Sequence, residues 1–178
     1  MRINVARLQK TPGEELELNF IYEPAAEDLD RGMRLLRPVD VHLRLRSGRQ
    51  GVIWLTAELK VEAAFTCDRC LRTFERQLSG EYMEEYRLRG AQDPAEEDDG
   101  EVRIVYYRGS EIDTGEGVRQ NVLLLMPTKH LCMESCEGLC PVCGHDLNTG
   151  PCGCDREVID PRLEILQQFK IDSKGSGE

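Results

Sequence analysis

The chain has 178 residues, 40 % of them hydrophobic, and a formal net charge of −10. That length allows one good core, or one core plus a small metal-stapled module, and is short for two large domains. The charge repels nucleic acid overall, no segment approaches the roughly 20 apolar residues of a membrane span, and Met1 to Leu8 lack a signal peptide's apolar run, so a cytoplasmic protein without a membrane partner is expected.

Taken in chain order, the first patterned stretch runs from Val39 to Leu45, where Val39, Val41, Leu43 and Leu45 alternate with polar residues at the period of two of a half-buried strand. Ser47 to Gly51 supplies a turn, and Ile53, Leu55, Ala57, Leu59, Val61, Ala63 and Phe65 then share one face of a second strand. The same parity puts Cys67 on the apolar face, so Cys67-Asp68-Arg69-Cys70 reads as a knuckle at the strand tip. A third run returns through Phe74, Leu78, Tyr82, Tyr86 and Leu88. Gln92 to Glu101 is dense in Asp and Glu and reads as a mobile loop, because like charges repel and bury no apolar surface.

Val102, Ile104 and Tyr106 suggest one more strand. Asp113-Thr114-Gly115-Glu116 resembles a capping box, with Asp113 accepting from the backbone and Glu116 reaching back, ahead of a helix that buries Val118, Val122, Leu125 and Met126. Pro127 stops that helix. Asp160-Pro161 starts a short C-terminal amphipathic helix with Leu163, Leu166 and Phe169 on one face, before a frayed end. The sum is an α+β fold: a mainly antiparallel sheet with a capped helix, a cysteine-rich zinc-binding module and a short C-terminal helix. The expected organisation is a β-rich body over 1–130, the cysteine-rich module over 131–156 packed on it, and the C-terminal helix and tail over 157–178.

The eight cysteines form four close pairs: Cys67 and Cys70, Cys132 and Cys136, Cys140 and Cys143, Cys152 and Cys154. Two thiolates two to four residues apart grip a tetrahedral ion from two corners, and a second pair closes the shell, so eight cysteines make two four-sulfur sites. In a reducing cytoplasm this favours zinc, one ion or two, over disulfides, with an iron–sulfur cluster as the competing cofactor. Cys140-Pro141-Val142-Cys143-Gly144 is a zinc knuckle by type, and Cys152 and Cys154 lie close enough to complete one site locally. Cys67, Cys70, Cys132 and Cys136 would then form the other across 61 intervening residues. A second partition, with Cys132, Cys136, Cys140 and Cys143 together and Cys67 and Cys70 meeting Cys152 and Cys154, is equally open to the spacing. His130 and His145 flank the cluster as spare ligands or outer donors.

A closed sulfur shell leaves no coordination position for substrate, and there is no glycine-rich phosphate loop, nucleophile elbow or His-rich pattern. Neither an enzyme nor a small-molecule substrate is therefore expected. Arg31, Arg34, Arg37, Arg44, Arg46 and Arg49 form a local basic stretch, either a solvated face or a contact for RNA. An acidic chain also suits a basic protein partner, of which ribosomal proteins are abundant examples.

Cys67-Asp68-Arg69-Cys70-Leu71, Glu111-Ile112-Asp113, Leu123-Leu124-Leu125-Met126-Pro127, and the block from Cys132 through Gly138-Leu139-Cys140-Pro141 and Asp146-Leu147-Asn148 to Cys152-Gly153-Cys154 together resemble the YceD family of large ribosomal RNA subunit accumulation proteins. The likeness runs from about Arg2 to Lys170. It implies a non-enzymatic factor needed for normal levels of large-subunit (23S) ribosomal RNA and for ribosome assembly, often encoded beside a large-subunit ribosomal protein. His130 stands where the family often has proline, a departure that leaves the cysteines intact. Some relatives lack the later cysteines, which implies that the second metal is scaffold. The alternatives are a zinc-ribbon adaptor for a non-ribosomal protein and a thiol-redox enzyme.

Overall fold

A computed structural model describes residues 1–25, 33–90, 96–98 and 102–155. The elements are β1 (Arg2–Asn4), β2 (Glu15–Tyr22), β3 (Met33–Leu35), β4 (Val39–Ser47), β5 (Ile53–Thr66), β6 (Thr73–Leu88), β7 (Glu96–Asp98), β8 (Arg103–Tyr107), β9 (Glu111–Asp113), α1 (Gly115–Leu125) and a 3-10 turn over Leu147–Thr149.

β4, β5 and β6 form where the alternation places them. Their in-phase residues are the core: Val39, Val41, Leu43 and Leu45 from β4 and every second residue from Ile53 to Phe65 in β5 are at most 2 % exposed. Each buried Val, Leu, Ile or Phe among them contributes on the order of 1.5–3 kcal/mol by leaving water, and Ala57 and Ala63 less. All of β5 pairs antiparallel with β6, from Ile53 opposite Tyr86 to Thr66 opposite Thr73, so the knuckle of Cys67 to Cys70 closes the far tip of one long hairpin.

The sheet runs β2-β4-β5-β6-β8-β7, with β3 also paired to β5, while β1 and β9 form a small ribbon. β6 and β8 are parallel, so the sheet is mixed at that side. β2 pairs antiparallel with β4 and turns Leu16, Leu18, Phe20 and Tyr22 toward the core. In β8 Ile104 is buried as the alternation expects, but the next buried residue is Tyr107, one step beyond the expected Tyr106.

Two local expectations are corrected. Within the acidic run, Glu96–Asp98 is a strand whose backbone pairs with β8, not a loop, because the ladder supplies partners that the composition does not reveal. The reciprocal capping box does not form either. Asp113 Oδ1 accepts from the Gly115 amide at 3.0 Å and pairs with the Met1 amino group, whereas Thr114 occupies the cap position without a side-chain cap bond. Glu116 turns outward to Arg119 and Gln120, both at 2.9 Å, so the first turn is closed from one side only.

α1 buries Val118 and Val122 against β5 and β6, with Leu125 and Met126 packed at the margin, and it ends before Pro127 as expected. The C-terminal helix expected after Asp160 lies outside the described residues. Among those described, no helix is long and apolar enough to cross a membrane.

Candidate metal centres

The eight sulfurs gather into two groups, Cys67, Cys70, Cys132 and Cys136 in one and Cys140, Cys143, Cys152 and Cys154 in the other, with the ligand atoms of each group all within 4.8 Å of one another. This is the first of the two partitions that the spacing allows. A tetrahedral ion with sulfur bonds of about 2.3 Å sets its sulfurs about 3.8 Å apart. The Cys67–Cys136 and Cys70–Cys132 sulfur separations are 3.8 and 3.7 Å, the edges of such a tetrahedron. The donor set therefore fits one ion per group.

Both knuckles are built alike. In the first, the Leu71 amide donates to the Cys67 carbonyl at 2.9 Å and the Cys67 amide to the Arg72 carbonyl at 2.9 Å. In the second, the Gly144 amide donates to the Cys140 carbonyl at 2.9 Å and the Cys140 amide to the His145 carbonyl at 2.8 Å. The residue that turns each loop back lies in the left-handed region, Gly144 at φ 73° and Leu71 at φ 59°. Glycine enters that region without strain and leucine does not.

The first centre joins the hairpin tip to the segment beyond α1, across the expected boundary at residue 130. Asp68 and His130 clamp the junction reciprocally: the Asp68 amide donates to the His130 carbonyl and the His130 amide to Asp68 Oδ2, both at 2.7 Å. Arg69 donates to the Cys136 carbonyl at 2.7 Å and Arg76 to that of Leu131 at 2.9 Å. The His130 ring packs on Phe65 with centroids 4.8 Å apart, so this histidine is a core contact and belongs to neither sulfur group. His145 is also outside both groups, its ring nitrogen 3.4 Å from the Thr149 hydroxyl.

The two centres are tied together by Asp146 and Asn148. Asp146 caps the 3-10 turn by accepting from the Asn148 amide at 3.0 Å, and it pairs with Arg72 at 3.4 Å. The Asn148 side chain donates to Cys136 Sγ at 3.5 Å while its oxygen accepts from the Glu137 amide at 2.9 Å. Sequence reasoning noticed Asp-Leu-Asn as a motif but not this role, although a short amide or carboxylate side chain before a turn is the usual signal for backbone capping. The first site is the more buried, with Cys67, Cys70 and Cys136 at most 4 % exposed, whereas in the second only Cys140 is buried and Cys143 is on the surface.

Without a cation each group holds its charge unevenly. Burial pushes the Cys67 thiol up, but amides of Cys70, Cys132 and Arg69 outweigh it and bring it down to about 6. Amides of Cys143 and Val142 bring Cys140 down to about 6 against the opposing burial. Cys132 is pushed up to about 12 by burial and then by its sulfur neighbours, and Cys154 to about 12 by Cys143 and then burial. A cation reverses this by deprotonating its ligands outright.

Three of the six arginines in the basic stretch sit beside carboxylates. Arg37 pairs with Asp40 at 3.1 Å and Glu62 at 2.9 Å, Arg44 with Glu17 at 2.9 Å, and Arg46 with Glu15 at 3.7 Å. Arg34 and Arg49 are exposed, and Arg31 lies outside the described residues.

A family model described as "Large ribosomal RNA subunit accumulation protein YceD" matches residues 55–170, a span that includes all eight cysteines. Uncharacterized proteins of Mycobacterium bovis and of two strains of Mycobacterium tuberculosis are each 31 % identical over 176 residues, covering 95 % of this chain and 81 % of theirs. No solved structure matches. With its knuckled hairpin and its cysteine block inside the matched span, the chain belongs to the YceD family.

Proposed function

We propose that the protein is a non-enzymatic factor that supports accumulation of large-subunit 23S ribosomal RNA and assembly of the large subunit, with each four-sulfur group holding a structural zinc ion. The observation that carries the reading is the family match across the hairpin and both sulfur groups. Single-ion sulfur separations favour zinc over a multi-iron cluster, whose irons spread the thiolates further apart. Cys67, Cys70, Cys132 and Cys136 bind the ion that holds the hairpin to the chain beyond α1, and Cys140, Cys143, Cys152 and Cys154 bind the ion that shapes the distal loop. Bound zinc supplies folding free energy on the order of 10 kcal/mol per site, and a full sulfur shell gives it no position for substrate.

The partner is large-subunit RNA or a basic ribosomal protein in the cytoplasm. Arg37, Arg44 and Arg46 are held by carboxylates, so direct phosphate contact falls to Arg34 and Arg49, with Arg31 beside them in sequence. Deletion of the gene tests the reading. A lowered ratio of large- to small-subunit RNA and accumulated large-subunit precursors are expected. Normal ratios and profiles, with the protein recovered on a non-ribosomal partner, would instead favour a zinc-ribbon adaptor.

A further inference from the structure

The sheet has an exposed side that the metal centres do not use. Cross-strand register puts Glu17, Arg44, Thr56 and Met83 in one row, and Asn19, His42, Glu58 and Glu81 in the next. Its arginines already sit beside Glu15 and Glu17, as described, which lowers the positive potential they offer a phosphate. Glu58 and Glu81 face each other directly across β5 and β6 and both are exposed; among the described residues neither is in ion-pair contact, although Arg44 is near enough to Glu58 for their charges to interact. Like charges directly opposed destabilise a sheet, and a cation brought by a partner relieves that repulsion.

Apolar surface lies beside this charge. Trp54, Met83 and Ile21 are 44 %, 57 % and 67 % exposed. Trp54 and Met83 are diagonal neighbours, since Trp54 pairs with Glu85 and Thr56 with Met83, and such neighbours lie within reach of an aromatic ring. They line a shallow groove of about 640 Å³, and a second of about 420 Å³ continues past Ile21 and Glu58. Arg44, Arg46 and Lys60 also lie on this face, but Glu15, Glu17, Asp40, Glu58 and Glu81 outnumber them, so it favours a cationic partner over nucleic acid. An extended polypeptide that alternates cations with apolar side chains matches both its features.

We infer that the exposed face of β2, β4, β5 and β6 binds a Lys- and Arg-rich polypeptide segment, whose cations reach Glu58 and Glu81 and whose apolar side chains cover Trp54 and Met83. The inference deepens the proposed function by naming the class of partner, and it rests on that reading only for the biological identity of the segment.

Trp54 is the sole tryptophan of the chain, so its emission reports on this face directly. The metal-loaded full chain is titrated with a synthetic peptide of repeating Lys-Val-Arg-Gly units, with the same peptide carrying Glu at each basic position, and with single-stranded oligouridylate. The basic peptide shifts the emission to the blue saturably and with salt-weakened affinity, while the acidic peptide and the RNA do not. Glu58→Lys combined with Glu81→Lys weakens the peptide about tenfold or more, and Glu58→Gln with Glu81→Gln gives a smaller loss with less risk to folding. An emission blind to the basic peptide, equally moved by oligouridylate, or unaffected by both pairs of substitutions overturns the inference. A lowered RNA ratio in the deletion strain with no peptide binding sinks this inference alone. Peptide binding with a normal ratio sinks the ribosomal reading alone.

Discussion

Gly144 and Leu71 occupy equivalent positions in the two knuckles, and exchanging their side-chain character tests whether backbone conformation controls metal retention. A Cβ on Gly144 would meet nothing within 4 Å, so Gly144→Ala introduces no clash and its cost is conformational. Holding an L residue near φ 73° costs roughly 1–2 kcal/mol, and the smaller entropy of the unfolded chain returns about 0.4–1. The net loss is about 1 kcal/mol, a factor of about five in affinity at Cys140, Cys143, Cys152 and Cys154 if the loop must close to bind. Leu71→Gly runs the other way. It relieves the strain at φ 59°, gives up little packing because Leu71 is 64 % exposed, and loses the unfolded-state advantage, leaving stability unchanged or raised by up to about 1 kcal/mol. Competition against a chromophoric chelator reads metal affinity, and denaturant unfolding of the loaded protein reads stability. A neutral Gly144→Ala, or effects of the same sign at both positions, would refute backbone control of metal retention.

Asn148→Ala, though in the distal loop, removes the donor to Cys136 Sγ, so chelator competition should find the first centre weakened about 10- to 100-fold, and equal weakening of the second centre alone would contradict the link. Gly117→Ala puts a Cβ 2.4 Å from a carboxylate oxygen of buried Glu84, which also binds Arg103 and the Tyr86 hydroxyl, each at 2.8 Å. Overpacking and disturbance of that ion pair outweigh the roughly 1 kcal/mol helix gain, so unfolding measurements should show a net loss of about 2 kcal/mol or more. Loading the metal-free chain at pH 7 releases protons, since Cys132 and Cys154, near 12, are still thiols; a pH-stat that detects none counts against thiolate ligation. Cys67 and Cys140 lie below their ordinary value, so their contribution to stability is complete above the ordinary thiol pKa and is lost as pH falls through about 6. Denaturant unfolding of the metal-free chain at descending pH should show that loss, and a stability unchanged below about 6 would contradict it.

β4 and β5 were legible because one face of each is wholly buried and the period of two is unbroken. β2 carries the same alternation from Leu16 to Tyr22, but Ile21 in the polar phase blurs it and no reading of the sequence singled it out. β1, β3 and β9 are three residues each, too short for any periodicity, and exist through their partners. The parallel step from β6 to β8 depends on a chain path that local pattern does not encode. At the site, the spacing fixed which residue types would gather but left two partitions, because a short pair carries no information about its distant partner. The hairpin decides it by carrying Cys67 and Cys70 at the tip where the Asp68–His130 clamp delivers Cys132 and Cys136. The arginine stretch is legible as a run of cations, but the carboxylates that the register sets beside Arg44 and Arg46 come from β2 and are invisible to local pattern.

The proposed function rests on thiols locked around inert ions. A native mass spectrum of the purified chain, read with elemental analysis and a thiol titration under non-denaturing conditions, tests it most directly. Two zinc ions per chain and no reactive thiol among the eight are predicted. A chain that carries no metal, or one that folds unchanged with all its thiols reactive, would contradict it.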